Sequence, residues 1–334
     1  MIKDYIIHNK IAQVSEKQWA TLLEVDTCNF FQTPEAISFF VSVGIETFTY
    51  VVESNNEVVA VLTGIIQKEK GIKSTFTSRA ISYGGPIFSK NIEEDEVKEL
   101  LELVIQKLKN KAIYIEIRNL NDYSAYKEIF KEVGFEYHPH LNFHLDCSEE
   151  QAMRKRMSSS KLRQVKKSLK EGATIIEAQN TEQIASFYEI LHDLYKTKVK
   201  TPLPDFNFFI ALWKQKSVKF LLVAYKDEII GGIVSPILFN KVIYEWFVCG
   251  KDGVYKNIYP SILATWAAMD YANKNGIPRF DFMGAGKPNE GYGVREFKSK
   301  FGGEQVEHGR FCYVAKPFLY EMGKTAVKIL KKHG

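Results

Sequence analysis

The sequence predicts an α/β (α+β) fold made of two tandem domains, each a mixed twisted sheet flanked by helices. The main reason is internal repetition. A hairpin, a third strand ending in glycine, a helix and a further strand occur twice in the same order. Matching points are separated by 171 residues (Asn55 to Lys226), 166 (Gly84 to Gly250) and 167 (Ala112 to Arg279). Near-constant offsets across four elements argue for duplication, and a repeat fixes architecture before any single element does. The length, 334 residues, suits two domains. Hairpin, strand, helix, strand is the order of a mixed sheet, because the helix carries the chain back to a parallel neighbour.

In the first half, Tyr50–Glu53 and Val58–Gln67 read as strands around an Asn55-Asn56 turn, and a third runs from about Phe76 to Tyr83 into Gly84-Gly85-Pro86. Val97, Leu100, Leu101, Val104, Ile105 and Leu108 then recur at helical spacing. Ala112–Ile117 is the next strand. In the second half, Phe220–Tyr225 and Ile229–Leu238 flank a Lys226-Asp227 turn, Val242–Cys249 stops at Gly250, a helix runs from Ile258 to Asn275, and Arg279–Met283 is a strand. A glycine-ended strand entering a helix is expected to leave free backbone N–H groups for phosphate or carbonyl oxygens, near Ile92 and near Ile258. Asn142–Leu145 reads as a strand closing the first domain. Phe318–Lys332 is an amphipathic helix expected to pack back on the first domain. The expected boundaries are 1–146, 147–316 and 317–334.

Hydrophobic content of 45% with 25% charged residues is that of a soluble globular protein. A net charge of +5 sets up no global demand for nucleic acid, although a local patch could bind it. The four cysteines, Cys28, Cys147, Cys249 and Cys312, form no CxxC pair and read as small buried hydrophobes in a reducing compartment. The first residues lack an apolar signal-peptide core, and no run approaches a membrane span. The expected setting is the cytoplasm.

Chemistry concentrates near the end of the second half. Phe280-Asp281-Phe282-Met283-Gly284 is a buried strand with a carboxylate at its end, followed by Gly291-Tyr292-Gly293 and the basic turn Val294–Gly302. Phe297 can anchor that turn while Lys298 holds a phosphate or a developing oxyanion, its ammonium being a compact charge; the alternative is a solvated basic turn. Tyr244-Glu245-Trp246 sets a carboxylate between aromatics, a cleft wall with Glu245 as base or simply strand core. Eight Lys or Arg fall between Arg154 and Lys170 with no acid among them. Met157, Leu162, Val165 and Leu169 give that helix an apolar edge, so it is either a solvated amphipathic helix or a docking face for a polyanion such as tRNA. His138, His140 and His144 have no acidic or cysteine partner at ligand spacing, so no metal is expected. No GxSxG occurs, and a hydrolase elbow is unsupported.

Taken in order, Phe31-Gln32-Thr33-Pro34, Ser82-Tyr83-Gly84-Gly85-Pro86, Lys161-Leu162-Arg163 ending at Gly172, Thr201-Pro202, Tyr255-Lys256-Asn257-Ile258-Tyr259-Pro260, and Asp281-Phe282 through Phe297-Lys298 to Phe301-Gly302 resemble the FemAB-like branch of the GNAT acyltransferase superfamily. The resemblance covers most of the chain and is strongest from Lys200 to Phe311. It implies two tandem GNAT-like domains and a transferase that forms an amide by attack of an amine on an activated acyl group. In well-known members the donor is an aminoacyl-tRNA and the acceptor a peptidoglycan precursor. Phe297-Lys298 matches the family's Phe-Lys pair, whose lysine is thought to stabilise charge during transfer.

The pattern also departs from the family. Where peptidoglycan enzymes carry a tryptophan and a cation, this chain has Glu35-Ala36-Ile37-Ser38-Phe39-Phe40, and the family's Arg-Pro is Thr201-Pro202. Those cations help hold the precursor's phosphates, so the standard peptidoglycan nucleotide is expected to bind poorly. The superfamily's acetyl-CoA loop pattern is absent before either helix. The expected function is therefore a FemAB-like acyl or aminoacyl transferase acting on an amine-bearing cell-envelope or related precursor. The alternatives are a non-catalytic ligand-binding module and an acyl-CoA-dependent N-acetyltransferase. Lys298 and Phe297 are the expected catalytic residues. Tyr83, Gly84, Gly85, Arg163, Tyr244, Glu245, Trp246, Lys256, Asn257 and Asp281 are expected to bind substrate. The expected partners are a small-molecule or cell-envelope acceptor and tRNA, with no DNA, no cofactor beyond an aminoacyl-tRNA or acyl-CoA donor, and a monomeric state.

Overall fold

A computed structural model describes residues 6–8, 14–68 and 77–333, with side chains over 14–68 and 77–325. The chain forms two units, Met1–His140 with Glu307–Gly334, and Leu141–Val306.

The first unit holds a mixed sheet of β1 (Ile6–His8), β2 (Glu46–Ser54), β3 (Glu57–Gln67), β4 (Arg79–Gly84), β5 (Ile87–Phe88), β6 (Tyr114–Asn119), β7 (Glu136–His138) and β16 (Arg310–Val314). Its order is β1-β2-β3-β4-β6-β16-β7, with β5 also on β3. Only β4 and β6 pair in parallel among these strands, as expected for the two strands separated by a helix. The unit's first two helices are α1 (Glu16–Leu23) and α2 (Pro34–Ser42). The crossover helix α3 (Glu94–Leu108) buries Val97, Leu100, Leu101, Val104 and Leu108 against Ala80, Ile115 and Ile117 of the sheet. The unit is completed by α4 (Lys127–Glu132) and α11 (Pro317–His333), whose Tyr320 stacks edgewise on Tyr114 at 5.3 Å. The start of the expected third strand, Phe76, lies outside the described residues.

The second unit repeats the plan with β8 (Leu141–Asp146), β9 (Thr174–Glu177), β10 (Val218–Tyr225), β11 (Glu228–Leu238), β12 (Val242–Tyr244), β13 (Phe247–Gly250), β14 (Arg279–Asp281) and β15 (Glu304–Glu307). Its order is β15-β8-β14-β12-β11-β10-β9, with β13 also on β11. Helices α5 (Glu150–Arg156), α6 (Ser159–Lys170), α7 (Thr181–Leu194), α8 (Phe206–Trp213), α9 (Pro260–Lys274) and α10 (Gly293–Ser299) accompany it. The segment expected to be a basic turn is thus the helix α10.

The duplication extends to backbone detail. Asn55-Asn56 and Lys226-Asp227 all have positive φ, between 49° and 63°, the conformation of a two-residue hairpin turn that follows the strand twist. Each hairpin also carries a register shift just before its turn, at Val52/Glu53 and at Val223/Ala224.

The boundaries differ from those expected at 146/147 and 316/317. The units divide at 140/141 and 306/307. β8 pairs with β14 of the second sheet, and β16 lies between β6 and β7 of the first. Each sheet is completed by a strand that sequence order assigns to the other domain, because strand pairing is set by available edges rather than by proximity along the chain.

Candidate active site in the second unit

The second sheet divides at Glu245. β12 pairs with both β11 and β14, whereas β13 pairs with β11. The split is visible in two successive amides: Glu245 N–H donates to Asp281 O (2.9 Å) and Trp246 N–H to Val234 O (3.1 Å). Beyond Asp281 the other arm follows β8, with Phe282 N–H on Phe143 O and Ala285 N–H on Leu141 O. Strands that part in this way leave carbonyls without a ladder partner.

Lys298 bridges the two arms. Its ammonium lies 3.0 Å from Glu245 Oε1 on one side and donates to Phe282 O (2.7 Å) and Gly284 O (2.9 Å) on the other. Each N–H of the ammonium therefore has an acceptor, and the residue is only 9% exposed. Lys298 fastens the glycine loop rather than presenting a free charge. Its neighbour on α10, Arg295, completes the clamp by donating to the carbonyls of Ala285, Lys287 and Pro288. Burial pushes the Glu245 carboxyl up, and the opposing pull of Lys298 and of the Thr265 hydroxyl (3.3 Å) does not cancel it.

Beside this bridge lies a second network. Asp281 is fully buried; its Oδ1 accepts from Asn142 Nδ2 (2.8 Å) and from Met283 N–H (2.6 Å), and His144 Nε2 stands 3.1 Å from Oδ2. Burial opposes ionisation, but His144, Asn142 and the Met283 amide more than offset it and hold the carboxyl below its usual range. Met283 has a φ of 56°, strain that the Asp281 hydrogen bond helps to hold at the start of the loop. Asn142 and His144 alternate along β8, and His144 faces Asp281 in the β8–β14 register. Sequence reasoning missed this pairing. The sequence reading weighs His144 only as a metal ligand, and the useful signal is the i, i+2 spacing of Asn142 and His144 on one face of a strand.

Phe297 packs against Phe301 at 5.2 Å and carries Lys161 over its face, with Nζ 4.0 Å from the ring centroid. Lys161 is 8% exposed. Burial, with the nearby charge of Lys300 against that of Asp252, lowers it to about 8. It is the buried cation of the segment expected to form one basic helix. That segment breaks at Met157-Ser158, where Ser158 caps α6. Arg163, Lys166, Lys167 and Lys170 are exposed along α6. The apolar edge differs from expectation, since Leu169 is exposed while Lys161 and Ser168 are buried.

Other expected residues have mainly structural surroundings. Tyr244 is fully buried, and Trp246 is half-buried against Phe208 and Phe247. Asn257 donates to Glu171, and Lys256 is exposed. In the first unit, Gln32 joins β3 to β4 through Thr63 and Tyr83 O. Gly84 and Gly85 have φ of 93° and 81°, and a Cβ on either would overlap Asn29 or Tyr123. They are buried beneath those side chains, and Tyr123 Oη donates to Gly84 O and Pro86 O. Of the three, only Tyr83 is partly exposed. Phe39 and Phe40, in the stretch where the family carries a tryptophan and a cation, are core residues.

The free N–H groups expected before the two crossover helices are not left for phosphate. α3 starts with a Glu93–Glu96 capping box and three acids in its first turn. At α9, Pro260 has no N–H to offer and Ser261 N–H donates to Asp252 Oδ1 (3.1 Å). Acids at a helix N-terminus complement its dipole and repel an incoming phosphate.

No curated protein sequence matches the chain. The sequence profile of the FemAB family matches residues 216–328, which include Glu245, Asp281, Phe297 and Lys298. A crystal structure of FemX superposes with a TM-score of 0.70 at 14% identity, over 95% of this chain and 99% of that one. The chain is FemAB-like over residues 216–328. The same fold occurs in the C-terminal domain of a putative lysylphosphatidylglycerol synthetase from Agrobacterium fabrum (TM-score 0.58, 9% identity, 93% and 96% coverage). It occurs also in a tandem GNAT protein from the clavulanic acid biosynthesis pathway (0.57, 9%, 93% and 99%). Both sheets are therefore GNAT-like, arranged in tandem.

Proposed function

We propose that this FemAB-like chain is an acyltransferase that forms an amide, taking an acyl group from an aminoacyl-tRNA and passing it to an amine on a cell-envelope or related precursor. The observation that carries the reading is the divided second sheet, where Glu245, Lys298, Asp281 and His144 converge largely within the stretch that matches the FemAB profile. Amide formation requires a neutral amine. In this reading His144, held by the buried Asp281 carboxylate, directs Nε2–H at Asp281 and takes the amine's proton on its other ring nitrogen. The amine nitrogen attacks the ester carbonyl, the C–O bond to the ribose breaks, and the proton passes to the departing oxygen. Lys298 is a positioning residue that keeps the loop carbonyls and Glu245 in place. The exposed cations Arg163, Lys166, Lys167 and Lys170 support a polyanionic donor. The acid-capped helix starts weigh against an acyl-CoA diphosphate at those termini.

The test is mass spectrometry of products after incubation with charged tRNAs or acyl-CoAs and a panel of amine acceptors. Transfer from tRNA is expected, with a salt-sensitive KM that a charge-reversed Arg163/Lys166/Lys167 variant raises. His144→Gln is expected to lower kcat. Turnover from acyl-CoA alone would make the chain an N-acetyltransferase. Ligand binding without turnover from either donor would make it a non-catalytic module.

A further inference from the structure

The face of the first sheet turned away from α3 carries a charge cluster that the acyl-transfer reading does not use. Glu116 and Arg118 lie two residues apart on β6 and share a face. The register sets Tyr83 of β4 and Arg310 of β16 on either side of Arg118, and His138 of β7 beyond Arg310. Arg118 Nε donates to Glu116 Oε2 (2.7 Å), and an Arg310 terminal nitrogen donates to Oε1 (3.0 Å). The other terminal nitrogen of Arg310 lies 3.0 Å from His140 Nε2. Arg118 approaches Tyr83 Oη at 3.5 Å, with its guanidinium carbon 5.3 Å from that ring's centroid.

Two guanidiniums share one carboxylate, so the cluster carries a net positive charge. Burial works against Glu116, yet the two guanidiniums hold it down to about 2. Burial and the charge of Arg118 push Arg310 below its usual value. Among the described residues these are the only side-chain hydrogen bonds of the two arginines, and a guanidinium fork has more donors than they use. The side chains are 28% and 27% exposed, so the remaining donors are partly screened from water but not closed off.

A surplus guanidinium held rigidly by a carboxylate and an imidazole, beside a tyrosine hydroxyl, is built to receive planar or tetrahedral oxygens bidentately. We propose that Arg118 and Arg310, aligned by Glu116 and His140 and rimmed by Tyr83, form an oxyanion-binding site for a carboxylate or phosphate group of a small molecule. The site lies wholly within the first unit and does not depend on the acyl-transfer reading.

The test is arginine-selective 15N NMR of the full chain, following the Nε–H signals while sodium acetate or inorganic pyrophosphate is titrated at constant ionic strength. Saturable shifts of Arg118 and Arg310 are expected with at least one anion, and the two titrations separate carboxylate from phosphate preference. Arg310→Gln should weaken that binding about tenfold or more, as expected for loss of a charge-assisted pair. Should that variant fail to fold with Glu116 half-paired, Glu116→Gln with Arg310→Gln removes both charges together and should show the same loss. Shifts that grow linearly without saturating, or that are unchanged in the folded variant, would overturn the site.

Discussion

Lys161→Met should make the protein more stable at neutral pH. Lys161 is buried over the rings of Phe297 and Phe301, with Nζ at 4.0 and 5.6 Å from their centroids. Its ammonium has no hydrogen-bonded carboxylate among the described residues; Asp252 helps it only through space, and Lys300 opposes it. A fall from 10.5 to about 8 corresponds to about 3 kcal/mol between the two protonation states. The ring contact returns about 0.5–2 kcal/mol to the charged form. Methionine keeps the apolar stem and drops the charge, so the expected gain at pH 7 is about 1–2.5 kcal/mol. The sign follows from proton binding. Below about pH 8 both states hold the proton, and the folded state bears the full penalty. Between about 8 and 10.5 the unfolded chain binds more protons, so wild-type stability rises with pH through this window. Urea unfolding of both proteins from pH 6 to 10.5 should show the variant ahead at low pH and the gap closing above pH 8. A gap that is absent, reversed or constant with pH would refute the reasoning. A buried, weakly compensated cation of this kind is what a functional site retains at the expense of stability.

Three other outcomes follow from the same geometry. Lys298→Ala strands the buried Glu245 carboxylate and two loop carbonyls, so it should destabilise the fold by about 3–5 kcal/mol in urea denaturation, whereas a Phe-Lys pair on a solvated turn would leave stability unchanged; Lys298→Met with Glu245→Gln should recover part of the loss. Glu116, held at about 2, contributes stability that is complete above its unfolded value of about 4.3 and disappears as pH falls toward 2; Arg310→Gln should therefore move the acid-unfolding midpoint upward, as read by circular dichroism. Gly85→Ala must place a Cβ within 2.7 Å of the Tyr123 ring at a φ of 81°, so it should lower the melting temperature by several degrees, about 1–3 kcal/mol, while Gly253→Ala, also at positive φ but with open space, should cost less.

The sequence made the repeated plan legible because its signals are local. The two-residue turns, the period-two strands and the Val97–Leu108 stripe each declare themselves within a few residues. Pairing across the chain does not. Leu141–Asp146 alternates as a strand should, yet nothing in it says that its partner is Arg279–Asp281, and Asn142 meets Asp281 across 139 positions. Arg310 reaches Glu116 across 194, through a strand that sequence order assigns to the wrong domain. One local signal goes unread: Glu93 and the acids that follow it open α3, which argues against free N–H groups there. Lys161 precedes Val165 by four residues, so helical spacing turns it inward with that valine. Phe297-Lys298 shows the opposite limit. Sequence identifies a lysine beside an anchored aromatic, but not which charge meets the substrate. The structure gives the acceptors of Lys298 to Glu245 and the loop and leaves Lys161 across the same phenylalanine weakly compensated.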